Sequence, residues 1–138
     1  MNAQTNSMQG KRVLITGPTS GVGKQMALEL AALGAEVILG CRDLARGKQA
    51  AAEITRQTGS DKLVVMRLDT SSQASIRGFA RDFRRKHRRL HVLINNASMN
   101  RGTLPKMNSV DGIELTFATN VVGYFLLTQE LLDVLQRS

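Results

Sequence analysis

Short apolar runs that are typical of β-strands alternate with helical patterns along almost the whole chain, and this alternation restricts the fold more than any other feature. The runs that predict strands are 13–15, 36–39, 63–68 and 91–94. Each precedes a segment with helical spacing of apolar residues, such as Val22, Met26, Leu30 and Leu33 after the first run. The order βαβαβαβα is typical of a parallel sheet with right-handed crossover helices. We therefore expect an α/β fold of Rossmann type, with helices on both faces and an incomplete sheet of strand order 3-2-1-4.

Capping residues indicate where the helices begin and end. Asp43 is placed to N-cap the second helix, and Ser71 or Ser72 the third. Gly34 follows the first helix, as glycine commonly does at a helix end. After the fourth strand, a loop leads to one long apolar helix, which we expect from about Glu114 to Leu135.

The turn between the first strand and the first helix carries three glycines with distinct physical roles. Gly17 permits a tight turn out of the strand, Gly21 lets the backbone approach a ligand, and Gly23 allows close packing of helix on strand. The helix that follows directs free N–H groups and the positive end of its dipole at this turn. We therefore expect it to bind the pyrophosphate of a dinucleotide. The predicted cofactor-binding residues of this turn are Gly17, Thr19, Ser20, Gly21, Val22 and Gly23.

Several segments in the correct order resemble the short-chain dehydrogenase/reductase family, and residues 123–128 are similar to its retinol-dehydrogenase-like members in particular. The glycine turn has the family's spacing, and the resemblance runs from Lys11 to about Gln136. The segment Asn95-Asn96-Ala97-Ser98 resembles the family's Asn-Asn-Ala-Gly, with serine in place of the last glycine; a serine fits there if its φ is negative. The resemblance implies that Asn95, Asn96 and Ala97 border the cofactor.

Two further residues match family positions with known roles. Asp69, at the end of the third strand, corresponds to an aspartate that contacts the adenine. Asn120 corresponds to an asparagine of the family's catalytic set. The implied reaction is hydride transfer between a nicotinamide and a carbonyl or alcohol carbon.

The end of the second strand decides which dinucleotide is expected. Arg42 follows the uncharged Cys41, and a guanidinium suits the 2′-phosphate of NADP. Lys24 is expected to add positive charge. The alternative makes Asp43 the ribose ligand and NAD the cofactor, but its place before a helix favours a capping role. We therefore predict NADP rather than NAD.

The family's acid/base pair, a tyrosine and a lysine four residues apart, is not found in this sequence. Its one tyrosine is Tyr124, and the residue four positions on is Thr128. We interpret Tyr124 as a core or interface residue. The family's catalytic serine, which follows a fifth strand, is also missing. The expectation is a partial gene product, truncated after the fourth βα unit, that acts on a carbonyl or alcohol substrate only if completed. A non-catalytic dinucleotide-binding module is the alternative.

Size and composition fix the expected organisation. Residues 1–10 are predicted to be a polar N-terminal tail and residues 11–138 a single Rossmann domain. The apolar runs are too short for a membrane span, and the first residues do not resemble a secretory signal, so a cytoplasmic location is expected. Cys41 is the only cysteine, and we interpret it as a small buried thiol. We find no residue cluster with metal-ligand spacing.

A basic run at 81–89 supplies much of the net charge of +8. It could contact nucleic acid or an anionic membrane, but a solvated helix face is the favoured interpretation, so no nucleic-acid partner is predicted. The unpaired edge of the fourth strand and the apolar last helix predict association into a homo-oligomer.

Overall fold

The computed structural model describes residues 6–138, so residues 1–5 of the expected polar tail lie outside the described part. In chain order the elements are β1 (Arg12–Thr16), α1 (Gly21–Ala32), β2 (Glu36–Cys41), α2 (Leu44–Thr58), β3 (Leu63–Arg67), α3 (Gln73–Lys86), β4 (Val92–Ile94), α4 (Leu115–Phe117), a π-helical turn (Ala118–Val122) and α5 (Gly123–Arg137). The four strands form one parallel sheet in the order β3-β2-β1-β4. The predicted fold and strand order are confirmed.

Strand β1 lies between two partners and is buried on both faces. Val13, Leu14 and Ile15 pair with Val37–Leu39 of β2 on one side and with Val92–Ile94 of β4 on the other. All three β1 side chains have no solvent exposure. A run of apolar residues, rather than strict alternation, is expected where helices cover both faces of a parallel strand.

Two hydrophobic clusters lie on opposite faces of this sheet. Val13 and Ile15 contribute to a cluster with buried residues of α1 and α2, including Ala27 and Ile54. Leu14 contributes to the other, with buried residues of α3 and α5. Complete burial of one such side chain stabilises the fold by roughly 1.5–3 kcal/mol, so both helical layers are held by the sheet they cover.

Helices α2 and α3 begin at N-cap residues that were expected from the sequence. Asp43 Oδ1 accepts hydrogen bonds from the backbone nitrogens of Ala45 (3.0 Å) and Arg46 (3.2 Å), which confirms the predicted N-cap. Of the two candidate serines, Ser72 caps α3 by accepting from the Ser75 nitrogen at 3.2 Å. The chain therefore leaves β2 and β3 by capped turns at the same edge of the sheet.

The long helix expected from about Glu114 to Leu135 is present as a continuous helical run from Leu115 to Arg137, but it contains a π-helical turn that was not predicted. A three-residue α4, N-capped by Glu114, is followed by the π-helical turn and only then by α5. At the start of α5, Gly123 lies so close to the Thr70 carbonyl oxygen that a Cβ on Gly123 would be 2.0 Å from it. Sequence periodicity reports the apolar face of a helix, but a local widening of one turn leaves no periodic signal.

The basic run is divided between a helix interface and solvent. Arg84 of α3 pairs with Asp133 at 3.0 Å and with Glu130 on α5, and Arg85 pairs with Asp82. Arg81, Lys86, Arg88 and Arg89 are exposed. Within residues 6–138, no helix is long and apolar enough to cross a membrane, and no group of three or more metal-ligating side chains occurs.

The close approach of α5 to Thr70, in the segment after β3, predicts a steric cost for any side chain at position 123. We expect Gly123→Ala to lower the free energy of unfolding by about 2 kcal/mol or more, because overpacking outweighs the gain in helix propensity. Urea-induced unfolding followed by circular dichroism measures this change. Gly78→Ala in α3 is the matched control, since its Cβ meets only ordinary contact at 3.6 Å and should stabilise by about 0.5–1 kcal/mol. Equal stability of the two variants would contradict the packing argument.

Candidate functional site

A cavity of about 460 Å³ lies at the carboxyl edge of the sheet, where five chain segments meet. Ligands of open parallel sheets bind at this edge. The lining residues come from the β1–α1 turn, the end of β2, the end of β3, the segment after β4 and the π-helical turn: Thr16, Gly17, Thr19, Ser20, Val22, Gly40, Cys41, Arg42, Asp43, Arg46, Leu68, Asp69, Thr70, Asn96, Ala97, Ser98, Met99 and Thr119.

The β1–α1 turn has the backbone that the glycines predict. Gly17 and Gly21 adopt positive φ values of 64° and 55°, which other residues rarely adopt. A Cβ on Gly23 would lie 2.2 Å from the Gly17 carbonyl oxygen, so only glycine allows this approach of α1. Ser20, the N-cap residue of α1, makes no side-chain capping hydrogen bond. The first-turn N–H groups of this helix therefore remain available to an anion.

Thr16 connects this turn to the segment after β4. Its Oγ1 accepts hydrogen bonds from the backbone nitrogens of Asn96 (2.9 Å) and Ala97 (3.0 Å). Asn96 Nδ2 returns a hydrogen bond to the Gly17 carbonyl oxygen at 3.0 Å. Thr16 is 1% exposed, so these bonds form in a largely water-free environment. Thr16 was not among the site residues predicted from the sequence, because its role depends on a segment 80 residues away in the chain.

The end of β2 brings two arginines to the cavity. Arg42 was predicted, whereas Arg46 in the first turn of α2 was missed. Spacing could have indicated it, because a residue three positions after an N-cap lies near that cap in space. Asp43 also lines the cavity, but its Oδ1 already accepts two backbone hydrogen bonds. Both guanidinium groups are on exposed residues.

Lys24 does not line the cavity. Its ammonium group instead donates to Glu53 of α2, and this hydrogen bond is the main reason that the pKa of Glu53 falls below its ordinary value. No contact in the structure therefore supports the expectation that Lys24 adds positive charge at the cofactor site.

Of the remaining predicted site residues, some line the cavity and others do not. Asp69, Asn96 and Ala97 line the cavity, and Asp69 Oδ1 accepts from the backbone nitrogen (2.9 Å) and hydroxyl (2.7 Å) of Ser71. Asn95 is exposed outside the lining, and its Nδ2 donates to Thr128 Oγ1 at 3.3 Å. Gly21 and Gly23 belong to the same turn but do not line the cavity.

Asn120 lies behind the cavity, where it holds the segment after β4. Its Oδ1 accepts from the Met99 nitrogen and its Nδ2 donates to the Met99 carbonyl oxygen, both at 2.8 Å. Ser98 lines the cavity without a positive φ, since positive φ values among residues 6–138 occur only at glycines. Serine in place of the family's glycine therefore leaves this backbone unstrained.

Near the cavity, three buried side-chain groups have either a raised pKa or no hydrogen-bond partner. Burial raises the pKa of the Cys41 thiol, and the nearby Asp43 carboxylate raises it further. Burial also raises the pKa of Tyr124. The Thr16 hydroxyl donates to the Ile94 carbonyl oxygen. Within the described residues, the buried hydroxyls of Tyr124 and Thr119 have no hydrogen-bond partner.

Comparison with known proteins gives consistent relatives. A family model described as short chain dehydrogenase matches residues 11–138. Human retinol dehydrogenase 11 is 43% identical over 134 residues, which are 97% of this chain and 42% of the relative. Mouse retinol dehydrogenase 12 is 44% identical over 129 residues, which are 94% of this chain and 40% of the relative. The chain therefore spans about two fifths of the length of these curated relatives.

Solved structures share the fold. The Pseudomonas aeruginosa RhlG/NADP active-site complex superposes with a TM-score of 0.82 at 30% identity, covering 98% of this chain and 52% of that one. The short chain dehydrogenase from Shigella flexneri gives a TM-score of 0.79 at 27% identity, covering 97% and 53%.

The bracing role of Thr16 predicts a specific effect of removing its hydroxyl. Thr16→Val leaves the Asn96 and Ala97 amides without an acceptor, so we expect a loss of about 2 kcal/mol in the free energy of unfolding. Hydrogen exchange of those two amides should accelerate relative to other buried amides. Thr16→Ser keeps the hydroxyl and should retain their protection. Unchanged exchange in Thr16→Val would show that the brace is not formed in solution.

The raised pKa of Cys41 predicts slow reaction with thiol reagents. The thiolate is the reactive form, and burial disfavours it in the folded chain. The apparent pKa from the pH dependence of iodoacetamide labelling should be higher in the folded chain than in urea. By linkage, this group's contribution to stability is full at neutral pH and declines as the pH rises above the pKa of the unfolded thiol. Because Cys41 is the one cysteine, labelling is unambiguous; equal folded and unfolded profiles would refute the prediction.

Proposed function

The chain belongs to the short-chain dehydrogenase family, and from that premise we propose that its described residues bind a nicotinamide dinucleotide in the cavity at the carboxyl edge of the sheet. The observation that carries the proposal is the β1–α1 turn. Its glycines bring the backbone of Gly17 and Gly21 into conformations that leave the N-terminus of α1 open, and Ser20 does not cap it. Such a terminus suits a pyrophosphate.

The cofactor we propose is NADP rather than NAD. Arg42 and Arg46 line the cavity together at the end of β2, where a 2′-phosphate or a ribose hydroxyl would lie. Guanidinium groups bind phosphate oxygens through charge-assisted hydrogen bonds. The alternative, in which Asp43 binds the ribose of NAD, has less support because Asp43 Oδ1 is engaged by the backbone of Ala45 and Arg46.

The other cofactor contacts that we propose lie in the β1–α1 turn, at the end of β3 and in the segment after β4. Thr19, Ser20 and Val22 lie around the phosphate end of the cavity, and Asp69 lies at the end proposed for the adenine. Asn96 and Ala97 line the cavity next to the β1–α1 turn, where Thr16 holds their backbone. Asn95 stays a prediction that rests on the family resemblance, since its side chain contacts Thr128.

Hydride transfer with a carbonyl or alcohol is proposed for the whole protein rather than assigned to these residues. The bound nicotinamide would supply the hydride chemistry, and the residues described here would bind and orient it. Asn120 would act as a positioning residue, because its side chain holds the Met99 backbone beside the cavity. Tyr124 is followed four residues later by Thr128, so no proton-transfer role is proposed for it.

We also propose self-association through α5 and the outer edge of β4. Val121 of the π-helical turn and Phe125 of α5 are 50% and 66% exposed, and Val92 of β4 is 37% exposed. Clustered exposed apolar side chains and an unpaired strand edge both favour association. The cytoplasmic location expected from the sequence stays a prediction.

Calorimetric titration with NADPH and NADH tests the proposed function and the role of the two arginines. We expect saturable binding with NADPH tighter, and a loss of about tenfold in NADPH affinity for Arg42→Ala and for Arg46→Ala, because each removes a charge-assisted contact. NADH affinity should change little.

Arg56→Ala is the matched control, since Arg56 lies in the last turn of α2, outside the cavity lining. It should leave both affinities unchanged. Equal losses for NADPH and NADH in the Arg42 variant would contradict 2′-phosphate recognition, and failure of the folded chain to bind either dinucleotide would contradict the proposed function itself.

A further inference from the structure

The hydroxyl of Thr119 is a buried polar group without a partner in the wall of the cavity. The residue is 7% exposed, and its Oγ1 makes no hydrogen bond with any described residue. It also lines the cavity. Buried polar groups in folded proteins are nearly always hydrogen-bonded, so an unmatched one calls for a physical explanation.

A purely structural explanation does not account for this hydroxyl. In a helix, a threonine commonly donates to a carbonyl one turn earlier, which satisfies the hydroxyl locally. Thr119 lies in the π-helical turn and does not form that bond. Valine has nearly the same shape and would fill the same volume without a desolvation penalty. Packing alone therefore favours an apolar residue at this position.

The neighbours of Thr119 fix it between two walls of the cavity. On one side, Asn120 is hydrogen-bonded to Met99 through both of its side-chain polar atoms. On the other, Gly123 lies against the carbonyl oxygen of Thr70. These contacts hold the backbone of the π-helical turn, and Thr119 is the residue of that turn that lines the cavity.

We propose that the Thr119 hydroxyl is a hydrogen-bond partner for the adenosine half of the bound dinucleotide. This inference rests on the proposed function. The adenosine half is favoured because α5 packs against Thr70, the residue that follows Asp69 at the end of the cavity proposed for the adenine. Rotation about the Cα–Cβ bond exchanges the hydroxyl and the methyl group, and threonine in helices occupies two such rotamers. The hydroxyl can therefore turn toward a ligand without a backbone movement.

Thr119→Val and Thr119→Ser separate the hydroxyl from the shape of the side chain. Affinities for 2′,5′-ADP, which carries only the adenosine half, and for NADPH are measured by calorimetry. For Thr119→Val we expect both affinities to fall by about threefold to tenfold, the value of one hydrogen bond. Thr119→Ser retains the hydroxyl and should bind both ligands like the unaltered chain.

A thermal unfolding midpoint of the ligand-free chain supplies a second readout. Thr119→Val should unfold at the same temperature as the unaltered chain or higher, because it removes an unmatched polar group. Weaker binding together with undiminished stability supports the proposal, since a merely structural role would lower the unfolding temperature as well.

Two results would contradict this inference and leave the proposed function intact. In the first, the unaltered chain binds 2′,5′-ADP and Thr119→Val binds it equally well. In the second, Thr119→Val loses affinity for NADPH alone, which assigns the hydroxyl to the nicotinamide half. Failure of the folded, unaltered chain to bind either ligand is distinguishable from both, because it removes the proposed function and this inference together.

Discussion

The backbone pairing of β1 on both of its edges, combined with burial on both of its faces, is the constraint on which the other elements depend. Val13, Leu14 and Ile15 are completely buried, and they divide between the two hydrophobic clusters. A parallel strand in this position needs a helix layer on each side. Helices α1 and α2 supply one layer and α3 and α5 supply the other, so the crossovers bring every strand's carboxyl end to the same edge.

That shared edge becomes a defined cavity because the turns following the strands are joined by hydrogen bonds. Thr16 connects the turn after β1 to the backbone of Asn96 and Ala97, and Asn120 connects the segment after β4 to the π-helical turn. Asp43 and Ser72 cap the helices that follow β2 and β3. The loops that carry the proposed binding residues are therefore held by the scaffold rather than by the ligand.

Charge is distributed so that the proposed phosphate contacts are separate from the basic run. Arg42 and Arg46 belong to the β2–α2 connection at the cavity. In the run at 81–89, Arg84 pairs with acidic residues of α5, which makes part of the run a bridge between two helices. Surface ion pairs of this kind contribute little individually, about 0–1 kcal/mol, so the packing of α3 against α5 depends mainly on their buried apolar side chains.

Local spacing was enough to predict the glycine turn and the Asp43 cap. The succession of elements and motifs along the chain indicated the family, and the strand order followed from the order usual in doubly wound sheets. Tertiary structure decided which polar side chains face the cavity. Asn96 lines it and Asn95 does not, since neighbouring residues leaving a strand point in opposite directions. Arg46 reaches the site, Lys24 is taken by Glu53, and the Thr119 hydroxyl is left unmatched. The pairing of Lys24 with Glu53 and the position of Thr119 in the cavity wall depend on segments far apart in the chain, and such contacts have no signature in local spacing.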